Sequence, residues 1–69
     1  MQPEMTTITL RISTSDMGSV RDWLRQHEDV PIDALTGAEA LAEYAKTQLM
    51  SNAEYDGQSL TVQWLEAKR

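Results

Sequence analysis

Apolar and polar residues alternate in two short stretches, one near each end of the chain. The first stretch covers residues 6–13, and its apolar positions are Ile8, Leu10 and Ile12. The second covers residues 58–65, and its apolar positions are Leu60, Val62 and Trp64. A period of two with β-branched and aromatic side chains is typical of a strand with one buried face. The pattern therefore predicts a β-strand near each end.

Between these stretches, two longer ones space their apolar residues three and four positions apart. The first covers residues 16–27, and its apolar stripe consists of Met17, Val20, Trp23, Leu24 and His27. The second covers residues 36–51, or extends to residue 55, and its stripe consists of Ala38, Leu41, Ala42, Ala45 and Leu49. This spacing predicts two amphipathic helices, each with one face on the core.

Signals for helix starts and for a turn frame these stretches. Residues 13–16, Ser-Thr-Ser-Asp, offer side-chain oxygens to the N–H groups of a helix start. Thr36 and Glu39 have the spacing of a capping box, in which each side chain bonds the other residue's backbone N–H. Asp56 and Gly57 predict a turn in which the glycine takes a positive φ.

The order of the elements predicts an α+β fold, a small β-α-α-β domain whose two helices lie on an antiparallel sheet. Two strands alone make a marginal sheet, so either residues 30–34 add a short edge strand or a second subunit completes the sheet. We expect one domain over residues 1–69, with residues 1–5 frayed and residues 66–69 a polar tail. The predicted core consists of Ile8, Leu10, Ile12, Val20, Trp23, Leu24, Leu41, Ala45, Leu49, Leu60, Val62 and Trp64.

The composition limits the kinds of catalytic and metal-binding site that the chain can form. The 69 residues include no cysteine, so the chain has no disulfide and no thiolate metal ligand. The single histidine, His27, continues an apolar stripe, and the glycines lack the spacing of a nucleotide-binding loop. We therefore expect no enzyme activity, no cofactor and no metal. No stretch has the apolar run of a membrane span or the pattern of a signal peptide, which favours a cytoplasmic protein.

Acidic residues are concentrated in the middle of the chain. The net charge is −5, and residues 28–56 hold seven acidic residues against Lys46 alone, a net of −6. Such a segment repels nucleic acid and attracts basic surfaces, although solubility alone would also explain it. Tyr44 and Tyr55 lie among these carboxylates and suit a protein contact. The predicted partner-binding residues are Glu28, Asp29, Asp33, Glu39, Glu43, Tyr44, Glu54, Tyr55 and Asp56.

A strand carrying Thr9-Leu10-Arg11-Ile12-Ser13, followed by two helices, resembles the ribbon-helix-helix repressors over about two thirds of the chain. The resemblance implies a dimer whose paired strands read DNA through outward side chains, which here are Thr7, Thr9, Arg11 and Ser13. The chain departs from that family in its single basic strand residue, in the acidic surroundings of its second helix and in its second predicted strand.

In size and charge the chain also resembles the small acidic inhibitors that phages and other mobile elements direct against host defence, including anti-CRISPR proteins. This resemblance implies a non-enzymatic inhibitor whose acidic face blocks a basic nucleic-acid-binding surface of a host protein or ribonucleoprotein complex by DNA mimicry. It implies no direct contact with nucleic acid or membrane, and it leaves monomer and homodimer open. We take it as the leading hypothesis. The alternatives are a ribbon-helix-helix-like DNA-binding regulator or antitoxin, and a generic protein-interaction module.

Overall fold

The computed structural model describes residues 4–29 and 31–68, which form two α-helices joined by a short 3-10 helix. Helix α1 covers Met17–His27, the 3-10 helix covers Ile32–Ala34, and helix α2 covers Gly37–Tyr55. Within these residues, the segments before α1 and after α2 belong to no helix and no strand. Both predicted helices are confirmed, and α2 reaches the longer of its two predicted ends.

Each helix begins at the cap that its sequence specifies. Asp16 accepts hydrogen bonds from the backbone N–H of Ser19 at 3.0 Å and from the Ser19 hydroxyl at 2.7 Å. The Thr36 hydroxyl accepts from the Glu39 N–H at 3.1 Å, and the Glu39 carboxylate accepts from the Thr36 N–H at 2.8 Å. These bonds satisfy N–H groups that a helix start leaves without an intrahelical acceptor. After α2, Gly57 takes a φ of 78°, which confirms the predicted turn.

Residues 28–36 return the chain to the start of α1, so the two helices run side by side in the same direction. Met17, the first residue of α1, lies beside Gly37, the first residue of α2. At the other end of α1, the Thr47 hydroxyl donates a hydrogen bond to the Glu28 carboxylate at 2.7 Å. The starts of the helices therefore meet, and the end of α1 meets the middle of α2.

Arg21 fastens this return segment to α1. Its guanidinium donates to the carbonyl oxygens of Ile32 at 2.9 Å and of Leu35 at 3.0 Å. The planar fork of an arginine can bond two acceptors at once, which a lysine ammonium does less well. The edge strand considered for residues 30–34 is wrong over Ile32–Ala34, because these residues turn into a 3-10 helix. Val30 lies outside the described residues.

The core lies between the two helices and the 3-10 helix, and it is small. Its buried members are Val20, Leu24, Ile32 and Ala40. Leu24 has an exposed fraction of 0%. Trp23 packs at the margin with its ring edge-on to that of Tyr44, their centroids 5.2 Å apart. A single core in a chain this short stabilises the fold by only about 3–5 kcal/mol.

After Gly57 the chain folds back and runs along α2 toward its start. The Gln58 N–H donates to the Ala53 carbonyl oxygen at 2.8 Å. The Trp64 indole N–H donates to Glu43 Oε1 at 2.8 Å, and Glu43 lies ten residues before Ala53 in α2. Residues 58–64 are therefore docked on α2 as an extended segment rather than as part of a sheet.

The described residues form an all-α fold, and the α+β prediction is wrong. Alternation shows that one side of a segment is apolar, but a strand also needs a neighbouring strand for its backbone N–H and C=O groups. The predicted sheet assumed that two helices would bring the chain ends together as a strand pair. Instead, the two helices run parallel to each other, and residues 58–64 run along α2. Residues 4–15 precede α1 in the sequence and form no backbone hydrogen bond with residues 58–64.

The predicted core is wrong wherever it depended on the sheet. Val20 and Leu24 are buried as predicted, and the half-buried members are Trp23, Leu41, Ala45, Val62 and Trp64. Leu49 and most of the strand residues are exposed, namely Ile8, Leu10, Ile12 and Leu60. On α2 the buried positions are Ala40 and Ala53, which lie outside the predicted stripe. Because alanines occur all around this helix, apolar spacing alone does not select its buried face.

The chain ends are described only in part. Residues 1–3, which belong to the predicted frayed segment, lie outside the described residues, whereas Glu4 and Met5 are exposed and belong to no helix or strand. In the predicted polar tail, Lys68 and Glu66 form an ion pair at 2.8 Å. Arg69 lies outside the described residues.

Candidate protein-binding surface

The nine residues predicted to bind a partner fall into three groups. The first group lies at the end of α1 and in the return segment, and consists of Glu28, Asp29 and Asp33. The second lies in the first half of α2, and consists of Glu39, Glu43 and Tyr44. The third lies at the end of α2, and consists of Glu54, Tyr55 and Asp56. The groups differ in exposure and in intramolecular partners.

Basic side chains partly neutralise the first group. Arg25 pairs with Asp33 at 2.7 Å. The hydrogen bond and the charge of Arg25 hold the pKa of Asp33 below its ordinary value of 3.8. Glu28 is bonded to a hydroxyl of α2, and Asp29 is exposed. With Arg25 and Pro31, the group lines a shallow open cleft of about 540 Å³ whose electrostatic character is mixed rather than uniformly acidic.

The second group is occupied within the fold. Glu39 bonds the backbone at the start of α2. Glu43 accepts from the Trp64 indole, lies 3.7 Å from the Lys46 ammonium, and has only 14% of its side chain exposed. Tyr44 packs against the core. These three side chains stabilise helix ends and packing, so they contribute little free charge to a partner.

The third group is exposed. Tyr55 has an exposed fraction of 92%, and Glu54 and Asp56 are exposed beside it. The last turn of α2 contains no basic residue. Negative charge at a helix C-terminus is opposed by the helix dipole, by about 0.3–1 kcal/mol for each carboxylate. The backbone nevertheless holds this end in place, since the Gly57 N–H donates to the Glu54 carbonyl oxygen at 3.0 Å.

Sequence reasoning missed two features of this surface. It did not place Arg21 and Arg25 against the acidic return segment, although their spacing of four residues on the polar face of α1 was a usable signal. It also assigned Trp64 to a strand, and thus gave no indication that its indole would bond Glu43. Both features reduce the acidic charge that the chain presents.

The described residues give little support for a metal site or for a reactive histidine. Residues 4–29 and 31–68 contain no group of three or more His, Asp or Glu side chains placed to hold a metal ion. His27 stacks on Trp23 with ring centroids 4.2 Å apart, and its Nδ1 lies 2.9 Å from the Trp23 carbonyl oxygen. The single histidine thus forms part of the packing at the end of α1.

Comparisons of the chain with models of known protein families, with curated proteins and with solved structures found no match. In the part of the chain that the structure describes, neither helix combines the length and the apolar character that a membrane span requires. The function is therefore inferred from the charge and the geometry of the chain itself.

Proposed function

We propose that the chain is a non-enzymatic, anti-CRISPR-like inhibitor whose acidic surface competes with nucleic acid for a basic site on a host protein or ribonucleoprotein complex. The observation that carries the proposal is the exposed group of Glu54, Tyr55 and Asp56 at the end of α2. Its two carboxylates oppose the helix dipole, and its tyrosine makes little contact with the fold. A partner surface rich in arginine and lysine would offset both disadvantages.

The proposed mechanism is competition for cationic side chains. Glu54 and Asp56 would occupy positions that phosphates hold in the nucleic-acid complex, and the Tyr55 ring would stack on an arginine guanidinium. The net charge of −5 would speed the encounter with a basic surface. Added salt should therefore weaken binding mainly by slowing association. The proposal assigns the protein to the cytoplasm, where such nucleic-acid-binding complexes operate.

The contacts of the acidic residues decide which of them can test recognition separately from folding. Removing charge at Asp33, Glu39 and Glu43 together would alter the cap of α2 and the Trp64 contact as well as the surface potential. A loss of binding in that variant would not separate recognition from folding. The residues at the end of α2 avoid this difficulty because their side chains are exposed.

The test begins with affinity capture from the host, with the captured partner identified by mass spectrometry. The affinity between the captured partner and this chain is then measured for wild type and for the variant Glu54→Gln/Tyr55→Ala/Asp56→Asn. The matched control is Glu4→Gln/Glu66→Gln, which also removes two negative charges but at other exposed positions. We expect the triple variant to bind at least about tenfold more weakly and the control to stay within about threefold of wild type. Binding should also be displaced by the partner's nucleic acid.

Two results would contradict the proposal. One is equal affinity of the triple variant and the control, with circular dichroism showing both to be folded. The other is simultaneous binding of this chain and nucleic acid to the captured partner.

A DNA-binding regulator remains a second candidate, because one observation favours it. Residues 4–15 are exposed and belong to no helix or strand, so four of their polar side chains are accessible to a ligand, namely Thr7, Thr9, Arg11 and Ser13. The net charge opposes the counterion release that drives DNA binding. An anisotropy titration against duplex DNA decides between the two functions. Salt-sensitive binding that Arg11→Ala abolishes would favour the regulator and contradict mimicry.

A further inference from the structure

Few contacts hold the C-terminal segment, by which we mean residues 58–68, against α2. Its first residue donates a backbone hydrogen bond to the Ala53 carbonyl oxygen, and its Trp64 indole donates to Glu43, both at 2.8 Å. Within residues 4–29 and 31–68, no other hydrogen bond joins the segment to the helix. Its large apolar side chains divide evenly between half-buried and exposed positions: Val62 and Trp64 are half-buried, and Leu60 and Leu65 are exposed. A segment with so few buried contacts opens more readily than the core.

The segment lies over one face of α2, which we call the covered face. Its residues follow at spacings of three and four and therefore share one side of the helix, namely Glu43, Lys46, Met50 and Ala53. The ten helical residues between the two hydrogen bonds span about 15 Å. Six residues of chain reach at most about 20–22 Å, and a helical stretch of that length would reach only about 9 Å. The segment therefore crosses the covered face as a straightened chain.

The Glu43 carboxylate, at one end of the covered face, uses only one of its two oxygens in this contact. Oε1 accepts from the Trp64 indole, and the Lys46 ammonium lies 3.7 Å from the same oxygen, beyond hydrogen-bond distance. In the described part of the chain, no donor bonds Oε2. A carboxylate can accept two parallel N–H bonds from one guanidinium, whereas an indole supplies a single neutral N–H. An arginine would therefore satisfy Glu43 better than Trp64 does.

We propose that the C-terminal segment is a latch, and that an arginine of the basic partner opens it by taking the place of the Trp64 indole on Glu43. This assignment rests on the proposed function, because it takes the partner to present arginine. Opening would expose a carboxylate that has only 14% of its side chain exposed when the latch is closed. Glu39 lies one turn earlier on the helix and would add negative charge beside it. A lysine ammonium is a point charge without the planar fork, so the latch selects arginine over lysine.

The test titrates the full chain with labelled octa-arginine at low salt and follows fluorescence anisotropy. A latch that is closed about 90% of the time lowers the apparent affinity about tenfold. We therefore expect Trp64→Ala to bind octa-arginine about tenfold more tightly than wild type, and the milder Trp64→Phe to shift in the same direction. The matched control is Leu65→Ala, which removes an exposed neighbouring side chain and should stay within about threefold of wild type. The gain should disappear in Glu43→Gln/Trp64→Ala, with helical circular dichroism showing each variant to be folded.

Three results of this titration would overturn the latch. They are wild-type affinity or no binding in Trp64→Ala, a gain that survives Glu43→Gln, and an equal gain for octa-lysine. A measurement on the wild-type chain needs no substitution: the nuclear magnetic resonance signal of the Trp64 indole N–H should move as octa-arginine binds, because its acceptor is replaced. A signal that stays in place while the peptide binds would also overturn the proposal.

Failure of the latch can be told from failure of the proposed function. The titration uses octa-arginine and no captured partner, so a negative result leaves the test at the end of α2 standing. Conversely, if the triple variant at the end of α2 bound the captured partner as well as its control does, mimicry through that group would fail. The gain of Trp64→Ala for octa-arginine would be unaffected, since it depends on Glu43, about three turns earlier in the helix.

Discussion

Leu24 gives the sharpest test of where the core lies, because it is the only large side chain that the described fold encloses completely. Shortening it to alanine removes buried apolar surface and leaves a space between α1, the 3-10 helix and α2. Measured changes of this kind destabilise proteins by about 2–5 kcal/mol. The whole core is expected to supply only about 3–5 kcal/mol. Leu24→Ala should therefore leave much of the protein unfolded at room temperature.

The matched comparison is Leu65→Ala, since Leu65 is the same residue type and lies exposed on the C-terminal segment. Urea unfolding followed by helical circular dichroism should place Leu65→Ala within about 0.5 kcal/mol of wild type. Both variants must be measured at one protein concentration, because association of two chains would add to apparent stability. If Leu24→Ala cost no more than Leu65→Ala, the arrangement of the helices around Leu24 would be refuted.

Three further predictions follow from individual contacts. Thr36→Ala removes the cap of α2 and should lower the unfolding free energy by about 1 kcal/mol, visible as a lower thermal midpoint. Arg21→Lys keeps the charge but cannot reproduce both carbonyl bonds, so urea unfolding should show a loss of about 1–2 kcal/mol; an unchanged midpoint would contradict the bidentate contact. The side-chain and backbone hydrogen bonds from Ser19 lower the pKa of Asp16. The stability that the ionised Asp16 carboxylate contributes is therefore complete above its ordinary pKa of 3.8 and is lost as pH falls through the lowered pKa. Asp16→Asn should reduce the acid-dependent loss of stability, measured by unfolding at several pH values, and an unaltered acid limb would contradict this assignment.

Signals that act within a few residues of sequence predicted the local structure. The capping box at Thr36 and Glu39 placed the start of α2, and Gly57 placed the turn after it, because each depends on neighbouring groups only. The direction of α2 relative to α1 depends on the Arg21 bonds to two carbonyls eleven and fourteen residues away. No short pattern encodes such a contact, so the path of the return segment could not be predicted.

The strand and site predictions depended on partners that local pattern does not identify. Alternation correctly shows that Leu10 has apolar neighbours at every second position, but it does not say whether a second strand comes from the same chain. In the same way, clustered charge in the sequence does not distinguish Glu43, which Trp64 covers, from Glu54, which is exposed. Formal charge therefore overestimates the acidic surface until the hydrogen-bond partners are known.

The two tryptophans lie in different parts of the molecule, which gives the protein two natural fluorescence reporters. Trp23 stacks on His27 beside the helix core, whereas Trp64 holds the C-terminal segment on α2. Trp64→Phe leaves emission from the core alone, and Trp23→Phe leaves emission from the docked segment alone. If the segment detaches before the helices separate, the two emission curves will have different midpoints, which a cooperative all-or-none transition forbids. The same pair can follow release of the segment when a partner binds, without any attached dye.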